Sequence, residues 1–315
     1  MKEFIILGVV VFFSVLTYWL VEPFAHGQMH KHVDSHQFQY ADLPAVTKQG
    51  DAAAGKDLVM GAGACSGCHS IEVDGLPAMM EPDMAAASYG VNPPDLSNAG
   101  AIYDAKFLTD LIKNPAHALK VEHKFDPASG AMHPMVPFYG AGGDMDQEVA
   151  DMVAYLQSIA VKPNEVTSKM AFENACGRCH AMRYANWTQM GETPNFKYKK
   201  DALRYEARVL DYQDSLKKYM GKLPPDLSMY TRSRNHHFLS TFIEDPQVHL
   251  AGTAMPRVGV TADSADKVLT YLEEIGDPSK ANGDRDRIGM YVMIFSLIFA
   301  IFAYLWKREI WKDLH

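Results

Sequence analysis

Cysteine is scarce in this chain of 315 residues: there are four, and all of them belong to two Cys-x-x-Cys pairs, Cys65/Cys68 and Cys176/Cys179. More than a hundred residues separate Cys68 from Cys176, whereas a zinc site built from two such pairs places the second about 15–20 residues on. Runs of alternating β-branched residues are missing ahead of both pairs, which removes the strand–helix setting of a thioredoxin-like disulfide. An excess of positive charge is lacking too. Lys and Arg total 30 against 38 Asp and Glu, a net charge of −8. That balance argues against a general nucleic-acid surface and suits an acidic face that docks a basic partner.

What is present is a histidine directly after the second cysteine, twice: Cys65-Ser66-Gly67-Cys68-His69 and Cys176-Gly177-Arg178-Cys179-His180. Cys-x-x-Cys-His is the pattern of c-type haem attachment. Two thiols add across the vinyl groups of one porphyrin edge, and the adjoining imidazole falls beneath the iron as proximal ligand. The motifs predict two covalently bound haem c groups, ligated by His69 and His180.

The chain begins and ends on apolar runs. Phe4 to Val21 carries no charge, and as a helix these residues reach about 27 Å, close to the ~30 Å of a bilayer core. The Glu22-Pro23-Phe24 that follows is a poor cleavage site, so residues 1–25 are read as a retained transmembrane signal-anchor. A linker over 26–48 carries His26, His30, His32 and His36 and reads as solvated, with no carboxylates or cysteines at ligand spacing. Ile288 to Trp306 is again free of charge, making 284–315 a C-terminal transmembrane anchor. Basic residues lie outside both spans: Lys2 at one end, and Lys307, Arg308 and Lys312 at the other. This puts both termini in the cytoplasm and the haem units across a bacterial inner membrane, on the periplasmic side where c-type haem is attached.

Between the anchors the sequence repeats itself. Pro93-Pro94-Asp95-Leu96-Ser97 and a following Phe107-Leu108 are matched by Pro224-Pro225-Asp226-Leu227-Ser228 and Phe238-Leu239, fourteen residues from first proline to phenylalanine in both. Equal spacing marks an internal duplication. The expectation is an all-α protein with two tandem cytochrome c domains, 49–162 and 163–283, flanked by the two spans. The first domain opens on a helix over Ala52–Met60 and closes on one with Val149, Met152, Val153, Leu156 and Ala160 on one face. The second closes on Val268, Leu269, Leu272 and Ile275. An insertion in the second, Lys197 to Met220, is rich in charge and aromatics and reads as an exposed helix, structural or a partner face.

Electron-carrying haems need a second strong axial ligand in a closed pocket. For the second haem Met255, in Ala254-Met255-Pro256, is the candidate, its loop stiffened by proline. For the first, Met135 in its Pro134–Pro137 frame is preferred over Met132 and His133. Methionine/histidine ligation raises the reduction potential and suits a carrier late in a respiratory chain. Sixth ligands at both irons favour carriage over a dihaem peroxidase, which needs an open or bis-histidine-tuned iron.

Three pieces of residues 171–315 resemble cytochrome c1, the haem subunit of the quinol–cytochrome c reductase (cytochrome bc1) complex. They are Cys179-His180-Ala181-Met182, the run Leu223-Pro224-Pro225-Asp226-Leu227-Ser228 closing on Arg232-Ser233-Arg234, and a single C-terminal span ending in basic residues and Trp311. The resemblance implies that Arg234 binds a haem propionate, with Arg232 as substitute. It also implies a non-catalytic electron-transfer subunit within a dimeric complex, with cytochrome b and a Rieske iron–sulfur protein as partners and a downstream cytochrome c or terminal oxidase as acceptor. The chain departs from that family in its extra N-terminal haem unit and span, as in the dihaem subunits of some bacterial bc-type complexes. The dihaem subunit of a cbb-type haem–copper oxidase is the other reading, against which the C-terminal span and Arg-x-Arg run speak.

Overall fold

The computed structural model describes residues 2–29, 40–125, 130–281 and 284–312; His30, His32 and His36 of the linker lie outside them. The chain divides into two units, Met1–Ala41 and Asp42–His315. The first is helical: α1 (Lys2–Leu16), a π-helical turn over Thr17–Val21, then α2 (Glu22–Met29). Lys2–Ala25 is long and apolar enough to cross a membrane.

In the second unit the first half carries α3 (Ala52–Met60), α4 (Pro82–Tyr89), α5 (Ala99–Ile102), α6 (Ala105–Lys113), α7 (Pro115–Ala118) and α8 (Met145–Ile159). Then come α9 (Ser168–Ala175), α10 (Lys199–Met220), α11 (Tyr230–Ser233), α12 (His236–Glu244), α13 (Pro246–His249) and α14 (Ala262–Gly276). The two-residue strands β1 (Trp187–Thr188) and β2 (Gly191–Glu192) pair antiparallel. The short α15 (Pro278–Ala281) precedes α16 (Asp284–Lys312), whose Arg287–Lys312 stretch is also of membrane-crossing length and apolarity.

Part of the element order repeats, with α5–α6–α7 answered by α11–α12–α13 at the same spacing from each Pro-Pro-Asp-Leu-Ser. Helix starts are set by short polar side chains that satisfy otherwise orphaned N–H groups. Asp104 accepts from Lys106 N and Phe107 N at the start of α6, and Asn235 accepts from Phe238 N at the start of α12. Each half closes by packing its first helix on its last. On α3 and α8, Val59, Val149, Met152, Val153 and Leu156 are buried; Ala160 lies just past the helix as its C-cap. On α9 and α14, Ala171, Phe172, Val268, Leu269 and Leu272 are buried, and Phe172 meets the Tyr271 ring at 5.0 Å.

The halves join edge to edge. Asp104 N donates to Gly259 O and Thr261 N to Ile102 O, both at 2.9 Å. Gly259 has φ +81°, and a Cβ there would lie 2.1 Å from the Phe107 ring. Only glycine fits that approach. The inserted helix α10 departs from the expectation of an exposed element. Its Tyr212, Leu216 and Met220 are buried with Ala86 of α4, and Arg208 donates to Asp83 and Glu81. The helix ties one half to the other. Its polar composition concealed a single apolar stripe.

Candidate haem attachment sites

Each Cys-x-x-Cys-His segment is one tight turn: His69 N donates to Cys65 O and His180 N to Cys176 O, both at 2.9 Å. The turn holds both thiols and the imidazole within five residues. Each imidazole is then oriented from behind. His69 Nδ1 lies 2.8 Å from Pro94 O, and His180 Nδ1 lies 2.8 Å from Pro225 O. A carbonyl can only accept, so the proton sits on Nδ1 and the Nε2 lone pair is left for a metal. Burial pushes both imidazoles below the ordinary histidine pKa, against the pull of the carbonyl. Both are therefore neutral at pH 7, the state that ligates iron.

The repeated pentapeptide is the strap that does this, and its residues have matched tasks. Leu96 N donates to Ser70 O and Leu227 N to Ala181 O, both at 2.9 Å. Asp95 accepts from Glu72 N and Asp226 from Arg183 N, each at 3.1 Å. Ser97 Oγ accepts from Val73 N at 3.1 Å, and Ser228 Oγ from Tyr184 N at 3.2 Å. Two histidine straps are thus built bond for bond alike.

The thiols are unbridged. Burial pushes Cys65 up to about 11 and Cys176 up to about 12, and it raises Cys179 as well. Such thiols are poor thiolate ligands or redox nucleophiles. The combination of thiols in one turn with a neutral, back-oriented imidazole fits covalent haem at Cys65, Cys68 and His69, and again at Cys176, Cys179 and His180.

Of the candidate sixth ligands, Met135 is half-buried, while Met132 is 64% exposed. His133 is occupied at both nitrogens: Nδ1 accepts from Met135 N at 3.1 Å, and Nε2 faces Tyr219 Oη at 3.1 Å. Met255 is half-buried, and its carbonyl accepts from Gln247 Nε2 at 2.7 Å. Arg234 is exposed, lying over the Phe238 ring at 5.8 Å. Arg232 Nε donates to Gly276 O at 2.8 Å.

Two arginines escaped the sequence reading. Arg257 follows the Met255-Pro256 pair and is 1% exposed. It donates to Ala118 O at 2.8 Å and to both Asp42 oxygens at 2.8 Å, fixing the Met255 loop to the first half. Arg178 stands between Cys176 and Cys179 and reaches Asn92 O at 3.1 Å. An arginine beside Met-Pro or inside a cysteine motif was the available signal.

Residues 52–160 match the family model "Cytochrome c". The chain is 23% identical over 201 residues to the cytochrome c1 of Allochromatium vinosum, spanning 46% of this chain and 82% of that one. Among solved structures, a chain of "Hyperthermophilic respiratory Complex III" is similar over 47% of this chain and 75% of its own, at 23% identity and a TM-score of 0.37. Residues 52–160 form a cytochrome c domain, the electron-transfer kind, and the chain has weak homology to cytochrome c1.

Proposed function

We propose that this chain is the dihaem electron-transfer subunit of a quinol–cytochrome c reductase, taking electrons from a Rieske iron–sulfur protein and passing them to a downstream cytochrome c or oxidase. The observation that carries the dihaem reading is the twice-built strap, Pro94 O on His69 and Pro225 O on His180. Covalent haem c supplies one-electron iron redox chemistry when bound. The chain's part is to fix it through Cys65 and Cys68, and through Cys176 and Cys179, and to hold each imidazole in one tautomer. Met135 and Met255 are the residues that would offer a thioether to the first and second haem and would exclude exogenous ligands there. Arg234 offers a guanidinium to a propionate of the second site. Terminal spans of membrane-crossing length support an inner-membrane location, and the basic residues outside both spans favour periplasmic haem domains with both termini cytoplasmic. The partners are then cytochrome b and the Rieske protein in a dimeric complex.

The site that resembles cytochrome c1, at His180, is the entry point, and the His69 site is the added relay to the acceptor. A pyridine haemochrome assay yielding two haems per polypeptide is expected; one haem sinks the dihaem reading. Purification of tagged protein from membranes should bring down cytochrome b and a Rieske protein. Recovery of an oxidase catalytic subunit instead selects the cbb-type alternative, and prompt carbon monoxide binding to the reduced protein selects a dihaem enzyme.

A further inference from the structure

Arg178 belongs to the second attachment motif, yet its guanidinium serves the first. Nη1 donates to Asn92 O at 3.1 Å, two residues ahead of the Pro94 carbonyl that orients His69. The contact is closed into a ring by α10. Asn92 N donates to Tyr212 Oη at 3.1 Å, and Tyr212 Oη donates to Arg178 O at 2.8 Å. Tyr212 is fully buried. Alongside the ring, Cys179 packs with Val91, Tyr219 and Ala254 on the cluster of Ala86, Tyr212, Leu216 and Met220. Cys179 thus packs against a cluster drawn from both halves.

Arg178 is also an unusual charge. Its Nε is buried with no hydrogen-bond partner; a hydrogen bond with Tyr103 and the nearby Cys179 and Tyr212 act on the guanidinium, with no carboxylate among these groups. A half-buried cation held by neutral groups rather than by a carboxylate is costly, and mere bracing of two lobes does not require one. His69 lies within its field.

We propose that Arg178 is a positioning residue shared by the two haem sites: it clamps the Asn92–Pro94 strap behind His69, and its charge raises the reduction potential of both sites. A fixed positive charge opposes ferric iron, which carries one more unit of charge than ferrous iron. Removing it favours the oxidised form at each site. The inference rests on both motifs holding haem, which the haem count of the unaltered chain tests separately.

The experiment is a spectroelectrochemical titration of the purified full chain and of Arg178→Gln, Arg178→Lys and Arg208→Gln, each first checked for two haems. Arg178→Gln should shift the oxidised-to-reduced ratio at least threefold at both sites, about 28 mV at 59 mV per decade for one electron. Arg178→Lys, which keeps the charge, should recover most of that shift. Arg208→Gln cuts another tie between α4 and α10 and should move neither midpoint. Unmoved midpoints in Arg178→Gln overturn the proposal, as does an equal shift in Arg208→Gln. Should Arg178→Gln fail to accumulate, Tyr212→Phe opens the ring with the charge in place. Its Asn92 amide should then exchange hydrogen at least tenfold faster, with both midpoints shifted less than threefold. Unchanged exchange there refutes the clamp.

Discussion

Gly55→Ala tests how closely the first half is packed. In an isolated helix this change gains about 1 kcal/mol of propensity. In α3 the added carbon would lie 1.9 Å from Asp151 O, 2.4 Å from Asp151 C and 3.0 Å from Met152 N. All three are backbone atoms of α8 and cannot rotate away. A carbon–oxygen contact of about 3.3 Å requires the helices to part by more than ~1 Å. A gap of that size forfeits about a quarter to a half of the dispersion energy across it. The buried residues facing the seam include Val59, Val149 and Met152, each stabilised by about 1.5–3 kcal/mol on full burial. The loss outweighs the propensity gain, for a net destabilisation of about 1–3 kcal/mol. Urea unfolding of the detergent-solubilised full chain, followed by far-UV circular dichroism, measures it. Stability equal to or above that of the unaltered chain would refute the claim that α3 and α8 touch backbone to backbone.

Three further outcomes are expected. Met255→His should keep a low-spin haem but lower the second site's potential by on the order of 100 mV and impede reduction of both haems by quinol, whereas Met135→His should slow only delivery to the acceptor; stopped-flow traces resolving each haem decide this, and normal reduction of the first haem in Met255→His reverses the proposed order. Arg257→Leu should cost about 2 kcal/mol, mainly through the stranded Ala118 carbonyl, because Asp42 is 44% exposed and re-solvates. Its loosened loop should weaken the Met–Fe(III) absorption expected roughly near 695 nm, and an intact band separates the loop's anchor from its ligand. Hydrogen bonds from Arg208 hold the Asp83 carboxyl below its ordinary 3.8, against the opposite pull of burial; a depressed folded value means that this stability is complete above pH 3.8 and fades as pH falls through the folded pKa. Asp83→Asn should therefore flatten the loss of urea resistance below pH 4, and an unchanged profile assigns that loss elsewhere.

The sequence by itself determined whatever depends on near neighbours. Cys-x-x-Cys-His places two thiols and an imidazole on one turn whatever surrounds it, so both candidate segments were legible. Apolar runs of membrane-crossing length, caps such as Asp104 and Asn235, and the equal spacing after each Pro-Pro-Asp-Leu-Ser were local patterns too. The tasks of that pentapeptide became visible only when its carbonyl, carboxylate and hydroxyl met the segment after each histidine. Tertiary structure alone decided how the halves meet. α10 looked exposed because its stripe of Tyr212, Leu216 and Met220 is narrow among charged residues, and only the fold supplies Ala86 opposite it. Arg178 reaches a carbonyl 86 residues away, and Arg257 a carboxylate 215 residues away. A backbone carbonyl carries no side-chain identity, so no pattern of residue types announces which arginine will find it. That pairing is set by chain path and burial, where an unsatisfied polar group costs most.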